Sequence, residues 1–411
     1  MINLEIPKKL GVLVDQAHQA AAEFFRPNSR TYDRAEHTYP KELDTLAALL
    51  DGLSASGGGA GAAGVRRSDG SGRKRGGSGK KKSGDVVNGS HMAVVLGTIE
   101  MCWGDTALLL SMPRQGLGNA AIASVADDEQ LKRFAGTWAA MAITEPDTGS
   151  DSGAIRTTAT LDGDHYVLNG EKIFVTAGER ADCVVVWATL DRSRGKAAIK
   201  SFVVEKGTPG FELVRLEHKL GIRASDTAHF RLDNVRVPKE NLLGSPEIAT
   251  EQGFAGVMQT FDNTRPLVAA MAVGCARAAL ETLREILQDA GIPIDYDRPA
   301  AVQPAAAAKF LQLEADWEAA YLLTLQAAWM ADNRRPNSLQ ASIAKAKAGR
   351  TGSDVTLSAV ELAGSTGYSE DSLLEKWARD SKILDIFEGT QQIQQLIVAR
   401  RLLGRTSAEL K

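Results

Sequence analysis

The chain has 411 residues, 44% of them hydrophobic and 24% charged, which is the composition of an ordinary soluble globular protein. Its length exceeds one small core, so two or three domains with ample buried apolar area are expected. A formal net charge of -3 gives no global support for binding nucleic acid or a membrane surface.

Residues 1–142 are expected to form an N-terminal helical domain. Apolar residues recur at helical spacing at Leu10, Leu13, Val14 and Ala17, and again at Leu43, Leu46 and Leu49–Leu50. The opening "MINLEIPKKLGVLVDQ" has no basic region ahead of a continuous apolar stretch. No run of 18 or more apolar residues occurs elsewhere, so no membrane association and a cytoplasmic location are expected. Residues 54–91 are Gly/Ser-rich and carry eight Lys/Arg against two Asp. Such a stretch buries too little apolar surface to offset its ordering entropy, and it reads as a flexible basic loop. The helical pattern resumes from about Met92 to Met141. From 143 to 249 the period changes to two. "HYVLNGEKIFVT" (165–176) reads as a hairpin turning at Asn169-Gly170, and Asp233-Asn234 reads as a turn within "TAHFRLDNVRVP" (227–238). Valine-rich "CVVVWATL" (183–190) and "SFVVE" (201–205) complete a central antiparallel β domain. Residues 250–411 are helical again, broken by a loop containing Pro293, Pro299 and Pro304. Helices, then strands, then helices make an α+β fold with segregated elements.

Cys102, Cys183 and Cys275 are far apart and set among apolar residues, so they read as buried free thiols. His18, His37, His91, His165, His218 and His229 show no metal-ligand spacing, and no metal site is expected. "GSGKKKSG" (77–84) lacks the GxxxxGK spacing of a phosphate loop and has neither a strand before it nor a helix after it. No GxGxxG follows a strand, which argues against a dinucleotide-binding Rossmann domain. "MAITEPDTGSDSGAIRTTAT" (141–160) sets Thr144, Thr148 and Ser150 in a polar turn between a helical and a β zone. On composition alone this is either a ligand-binding junction or a plain interdomain loop.

Six segments then occur in order: "ITEPDTGSD", "EKIFVTAG" (171–178), "LGIRASDTA" (220–228), "VRVPKENLLG" (235–244), "FDNTRP" (261–266) and "IFEGTQQIQQLIVAR" (386–400). Together they resemble the acyl-CoA dehydrogenase family, from about Glu100 to Leu403. The resemblance implies an N-terminal helical domain, a central β domain and a C-terminal four-helix bundle. It implies FAD between the β domain and the bundle, reaching into a neighbouring subunit.

In that family a carboxylate removes the α-proton of an acyl thioester while the β-hydride passes to flavin N5. Glu388 matches the base. The α C–H becomes acidic enough only if the thioester carbonyl is held by oriented donors. The resemblance assigns these to the backbone N–H at the base and a flavin ribityl hydroxyl. The base must be ionised yet poorly solvated, and a glutamate behind Ile386 and Phe387 and before Gly389 suits that demand. Thr390 is expected to cap the helix carrying Ile393, Leu396 and Ile397. Some members place the base in the helix where this chain has Thr264, so no second carboxylate competes. Ile143, Thr144, Ser150, Phe174, Val175 and Thr176 are implied to line the flavin, Thr176 toward N5, with Thr390 and Gln392 also on the cofactor. Asp262 and Arg265 are implied to meet the CoA pantetheine, and Ser150 and Gly389 to touch substrate.

The chain departs from the family where a homotetramer's Arg-x-x-Phe-Gly turn would hold the neighbour's FAD pyrophosphate. Here the sequence is "LQDAGIPIDYDRPAAVQP" (287–304), with Asp289, Asp295 and Asp297, which repel a diphosphate, and Arg298 as a substitute cation. The family's His-Gln pair falls near Gln303-Pro304. In "ELAGSTG" (361–367), Glu361 replaces a glutamine and Ser365 a glycine. These departures point to the base-bearing subunit of a hetero-oligomer whose paralogous partner completes the FAD site, the rival reading being a homodimer that binds FAD weakly. The resemblance further implies an acyl-CoA substrate and an electron-transfer flavoprotein as acceptor. The alternatives are a non-catalytic scaffold stabilising an active paralogue and an oxygen-using oxidase of the same fold.

Overall fold

A computed structural model describes residues 6–53, 88–113, 117–248, 255–406 and 409, without side chains at 49–53 and 255–263. The basic Gly/Ser-rich stretch up to residue 87 lies outside the described residues.

The expected order of helices, sheet and helices is present. Helix α1 (Lys8–Ala20) runs into a π-helical turn at Ala21–Phe25. Helix α2 (Ser90–Gly104) starts two residues earlier than its apolar pattern suggests. The reason is a partner remote in sequence. The Asp332 carboxylate accepts from the backbone N–H groups of Gly89, His91 and Met92 at 2.7, 2.9 and 3.0 Å. These are donors that a helix start leaves without intrahelical acceptors.

The helical reading to Met141 stops short, because Ala139–Ala142 is a strand, β1. The remaining strands are β2 (Thr158–Asp162), β3 (His165–Thr176), β4 (Cys183–Thr189), β5 (Ile199–Glu205), β6 (Phe211–Leu216) and β7 (Thr227–Pro238). They form one sheet in the order β1-β4-β2-β3-β7-β6, with β5 on β4. The sheet is mostly antiparallel, but β1 pairs parallel with β4, which corrects the all-antiparallel expectation.

The hairpin at Asn169-Gly170 is also corrected. β3 is one continuous strand, paired along both halves with β7, and Gly170 sits at a register shift. A side chain at Gly170 would come within 2.5 Å of Thr157 Oγ1, so glycine serves close approach there and not a turn. Opposite it, Asn234 takes a left-handed φ of 52° inside β7, and its N–H donates to Asn169 Oδ1 at 2.8 Å. The Asx-Gly chemistry is spent on a bulge.

Helix α3 (Ala255–Asp289) is the spine of the C-terminal part, packed against α2, α4 (Ala305–Asp332) and α5 (Ser338–Ala363). Its segment Thr264–Asp289 is long and apolar enough to cross a membrane by length and composition, but 72% of that window is buried inside the fold. The shared core joins Met92, Val95 and Ile99 of α2 to Val268, Ala272 and Val273 of α3, with Ala344 and Ala348 of α5. Small residues bring the axes close: a side chain at Gly274 would meet the Ile99 carbonyl at 2.2 Å.

A buried charge cluster ties three regions together. Lys376, on helix α6 (Leu374–Ser381), has no exposed surface and pairs with Asp105 at 2.6 Å and with Asp380. Asp105 follows α2 and accepts from Leu108 N–H at 2.8 Å, while Asp380 accepts from Ile222 N–H, in the loop before β7, at 2.5 Å. Burial and the neighbouring Asp105 push the Asp380 carboxyl up, while its two acidic partners hold Lys376 protonated against burial.

Candidate active site

After α6 the chain makes a 3-10 turn at Lys382–Asp385, then the Ile386–Gly389 loop, then helix α7 (Gln391–Leu403). The Thr390 side chain accepts from Ile393 N–H and caps α7, as the sequence suggests. Phe387 packs into the helical core, whereas Ile386 is 45% exposed. Glu388 has a φ of 56° and Gly389 a φ of 96°. For an L residue with a Cβ the left-handed region costs about 1–2 kcal/mol, so surrounding contacts must hold Glu388 there.

Those contacts come from three elements. Thr264 Oγ1 on α3 donates to Glu388 Oε2 at 2.8 Å. Gln394 on α7 donates to the Glu388 and Gly389 carbonyls at 3.0 and 3.2 Å. Lys345 on α5 donates to the Gly389 carbonyl at 2.6 Å. The Glu388 carboxylate therefore faces α3 and does not cap its own helix. Burial pushes its pKa above the usual carboxylate value, opposed by the Thr264 hydrogen bond and the charges of Arg265 and Lys345. Such a group can be ionised near neutral pH and still take a proton readily.

Arg265, expected on CoA, is buried beside Glu388 at 3% exposure. The Asp262 side chain lies outside the described residues, its backbone being part of α3. Thr390 and Gly389 are half-buried and Gln392 is exposed.

The β-domain half of the expected site is also assembled. Glu145 is buried and accepts from Lys172 Nζ at 2.8 Å, from Thr157 N–H at 2.9 Å and from Arg156 N–H at 2.6 Å. Lys172 also donates to the Ile143 carbonyl at 3.0 Å, and the Thr144 carbonyl accepts from Ile173 N–H at 2.9 Å. This ties Ile143 and Thr144 to the strand carrying Phe174, Val175 and Thr176. Phe174 is 58% exposed and takes a left-handed φ of 58°, leaving its ring on the surface. Val175 differs from the expectation that its side chain lines a ligand: it lies wholly in the sheet core, so only its backbone can face one. Thr176 is half-buried and pairs with Thr227, and Ser150 is exposed. The β domain meets the bundle just ahead of the base loop, where a side chain at Gly221 would strike the Arg379 backbone at 2.4 Å.

Sequence reading missed Lys172 and Lys345, because each acts on carbonyls or acids of another segment, and Gln394, which acts on carbonyls of its own segment. Gln394 did stand within the quoted "EGTQQIQQ" segment, a signal for closer attention. The three cysteines are buried and free. The fold also gathers Glu36, His37 and His218, whose ligand-capable atoms lie within 4.8 Å of one another, a grouping that sequence spacing cannot show. In the structure His218 Nδ1 lies 2.9 Å from the Glu36 carboxylate, which also accepts from the Lys219 N–H.

Comparison with known proteins supplies the chain's relatives. The family model of the acyl-CoA dehydrogenase middle domain matches residues 140–235, and that of the C-terminal domain matches residues 251–403. The short-chain-specific acyl-CoA dehydrogenase of Clostridium acetobutylicum is 35% identical over 325 residues, covering 78% of this chain and 83% of the relative. Cyclohex-1-ene-1-carbonyl-CoA dehydrogenase of Geobacter metallireducens is 36% identical over 322 residues, covering 76% of this chain and 82% of the relative. The structure of butyryl-CoA dehydrogenase from Megasphaera elsdenii superposes with a TM-score of 0.77 at 28% identity, covering 98% of this chain and 100% of that one.

Proposed function

Since the chain belongs to the acyl-CoA dehydrogenase family, whose members are FAD flavoproteins, we propose that it converts an acyl-CoA to a trans-2-enoyl-CoA with Glu388 as the α-proton base. The observation that carries this reading is the Glu388 carboxylate itself. It is held in a left-handed turn, bonded to Thr264, and made more basic by burial.

The residues present fit a flavin. The exposed Phe174 ring is an apolar surface on a strand tied to Ile143 through the Lys172 ammonium and to Thr144 through the Ile173 N–H. Bound there, FAD would accept the β-hydride at N5. Glu388 would take the α-proton, Arg265 and Asp262 would orient the CoA, and Gly389 would let the thioester approach the loop backbone. Electrons would leave to an electron-transfer flavoprotein.

We further read the chain as one subunit of a hetero-oligomer. The loop after α3 carries half-buried Asp295 and exposed Asp297 and is folded onto itself, with Gln303 donating to the Asp295 and Arg298 carbonyls at 2.7 and 2.8 Å. Such a loop repels a diphosphate from a neighbour's cofactor. Leu402 and Leu403 on α7, 69% and 64% exposed, offer apolar surface for a partner.

The test is Glu388→Gln in the flavin-loaded enzyme. A loss of about 10²–10⁴-fold in kcat with retained flavin supports the base assignment. Full activity would transfer the role elsewhere, and a wild-type complex that works equally well with Glu388→Gln would favour the scaffold reading. Flavin absorbance per polypeptide, alone and with a co-expressed paralogue, tests the hetero-oligomer. Full loading of the lone chain refutes it.

A further inference from the structure

Lys345 has no exposed surface, and its ammonium reaches one carbonyl, that of Gly389, at 2.6 Å. A buried ammonium is costly unless charge and hydrogen bonds compensate it. The acids acting on Lys345 are Asp385 and Glu388, with Arg265 opposing them. Asp385, the larger of the two influences, is also paired with Lys382 at 3.0 Å, while the hydrogen bond that holds the ammonium comes from the Glu388–Gly389 turn.

The turn needs that hold. Glu388 sits in the left-handed region without being glycine, and Gly389 follows at a φ of 96°. A side chain at Gly389 would be strained by that φ and would displace Gln394 Nε2, 2.4 Å from where its Cβ would lie. With Lys345 on the Gly389 carbonyl and Gln394 on both carbonyls, the backbone of the turn is held independently of the Thr264 bond to the carboxylate.

We propose that Lys345 is a positioning residue for the base: it locks the Glu388–Gly389 turn through the Gly389 carbonyl and sets a positive charge behind the carboxylate. This rests on Glu388 being the base. Misplacing a proton acceptor by a fraction of an ångström slows abstraction, and removing a nearby cation raises a carboxylate's pKa. Burial lowers the Lys345 pKa to about 8, so the cation is present at neutral pH and is lost just above it.

The experiment compares Lys345→Met, Lys345→Gln, Lys345→Arg and Gln394→Leu in the flavin-loaded enzyme, with Glu388→Gln as control. Lys345→Met is expected to lower kcat at pH 7 about 10- to 100-fold with KM nearly unchanged. Its acid limb should move up by about one pH unit, because Glu388 loses a stabilising charge. Lys345→Gln, which keeps a donor but no charge, should show the limb shift with a smaller rate loss. Lys345→Arg should return the limb to its wild-type position. Gln394→Leu should lower kcat without moving the limb. Faster hydrogen exchange in residues 388–392 of Lys345→Met would report the loosened turn without any turnover. A Lys345→Met enzyme with wild-type kcat, limb and exchange overturns the proposal. If Lys345→Met does not fold, an unmoved limb in Lys345→Gln overturns it. An active Glu388→Gln enzyme would instead refute the base assignment and leave the two failures distinct.

Discussion

Replacing Thr264 with valine removes one hydroxyl, and with it the hydrogen bond to the carboxylate of the proposed base. The bond is 2.8 Å long, and its acceptor is the Glu388 carboxylate. A hydrogen bond to a charged acceptor contributes about 1.5–3 kcal/mol. Nearly all of that favours the ionised form, and about 1.4 kcal/mol corresponds to one pKa unit. Glu388, already raised by burial, should therefore rise by a further one to two units, roughly. The assay is kcat/KM against pH, which reports the free enzyme. Thr264→Val should shift the acid limb upward by that amount and recover the wild-type rate on the alkaline side. An unmoved limb would mean that Thr264 does not touch the reacting carboxylate. A shift to lower pH would refute the direction of the electrostatic argument.

Because folded Glu388 holds its proton more tightly than the unfolded chain, its carboxylate weakens the fold above the unfolded pKa of 4.5, and that cost disappears as pH falls below it. Glu388→Gln should accordingly melt about 1–2 °C above wild type at pH 7, with the difference gone near pH 4, by scanning calorimetry. Lys376→Met strands two buried aspartates and should cost about 3–5 kcal/mol, measured by the urea midpoint. Making Asp105→Asn and Asp380→Asn in the same chain should return much of that stability. Lys172→Met frees the Ile143 carbonyl and leaves the buried Glu145 without its cation, so flavin content per chain should fall while the far-ultraviolet spectrum stays native. Unchanged flavin loading would mean that the Glu145–Lys172 pair does not shape the cofactor face.

The helical and β zones were legible from the apolar period, and the Glu388 turn from a short local signal, an acid, a glycine and a capping threonine ahead of a helix, while the role proposed for Glu388 is what the family resemblance implies. What could not be read is what other segments supply. Asp332 begins α2 from the far end of α4, and nothing near Ser90 announces it. Asn169-Gly170 carries a hairpin signature, but β7 runs along the whole of β3, and pairing on both halves outweighs the local turn preference. β1 is only "AAMA", with no alternation to separate it from helix, and its strand state comes from parallel pairing with β4. Lys345 and Lys172 sit in helical and strand patterns as unremarked cations. Their importance lies in which carbonyl each one meets, a property of packing and not of spacing.

The Lys376 cluster has a consequence for how the molecule is made. Asp105 is synthesised early and is wholly buried, yet its counter-charge arrives only with α6, near the end of the chain. Until Lys376 leaves the ribosome, completing the early helices would enclose an unneutralised aspartate, and Ile222 of the β domain would lack Asp380. The N-terminal helices and the loop before β7 must therefore wait for the last helices to emerge. A ribosome stalled before residue 376 would hold a nascent chain still open to protease at α2, and one released beyond it would close all three regions together.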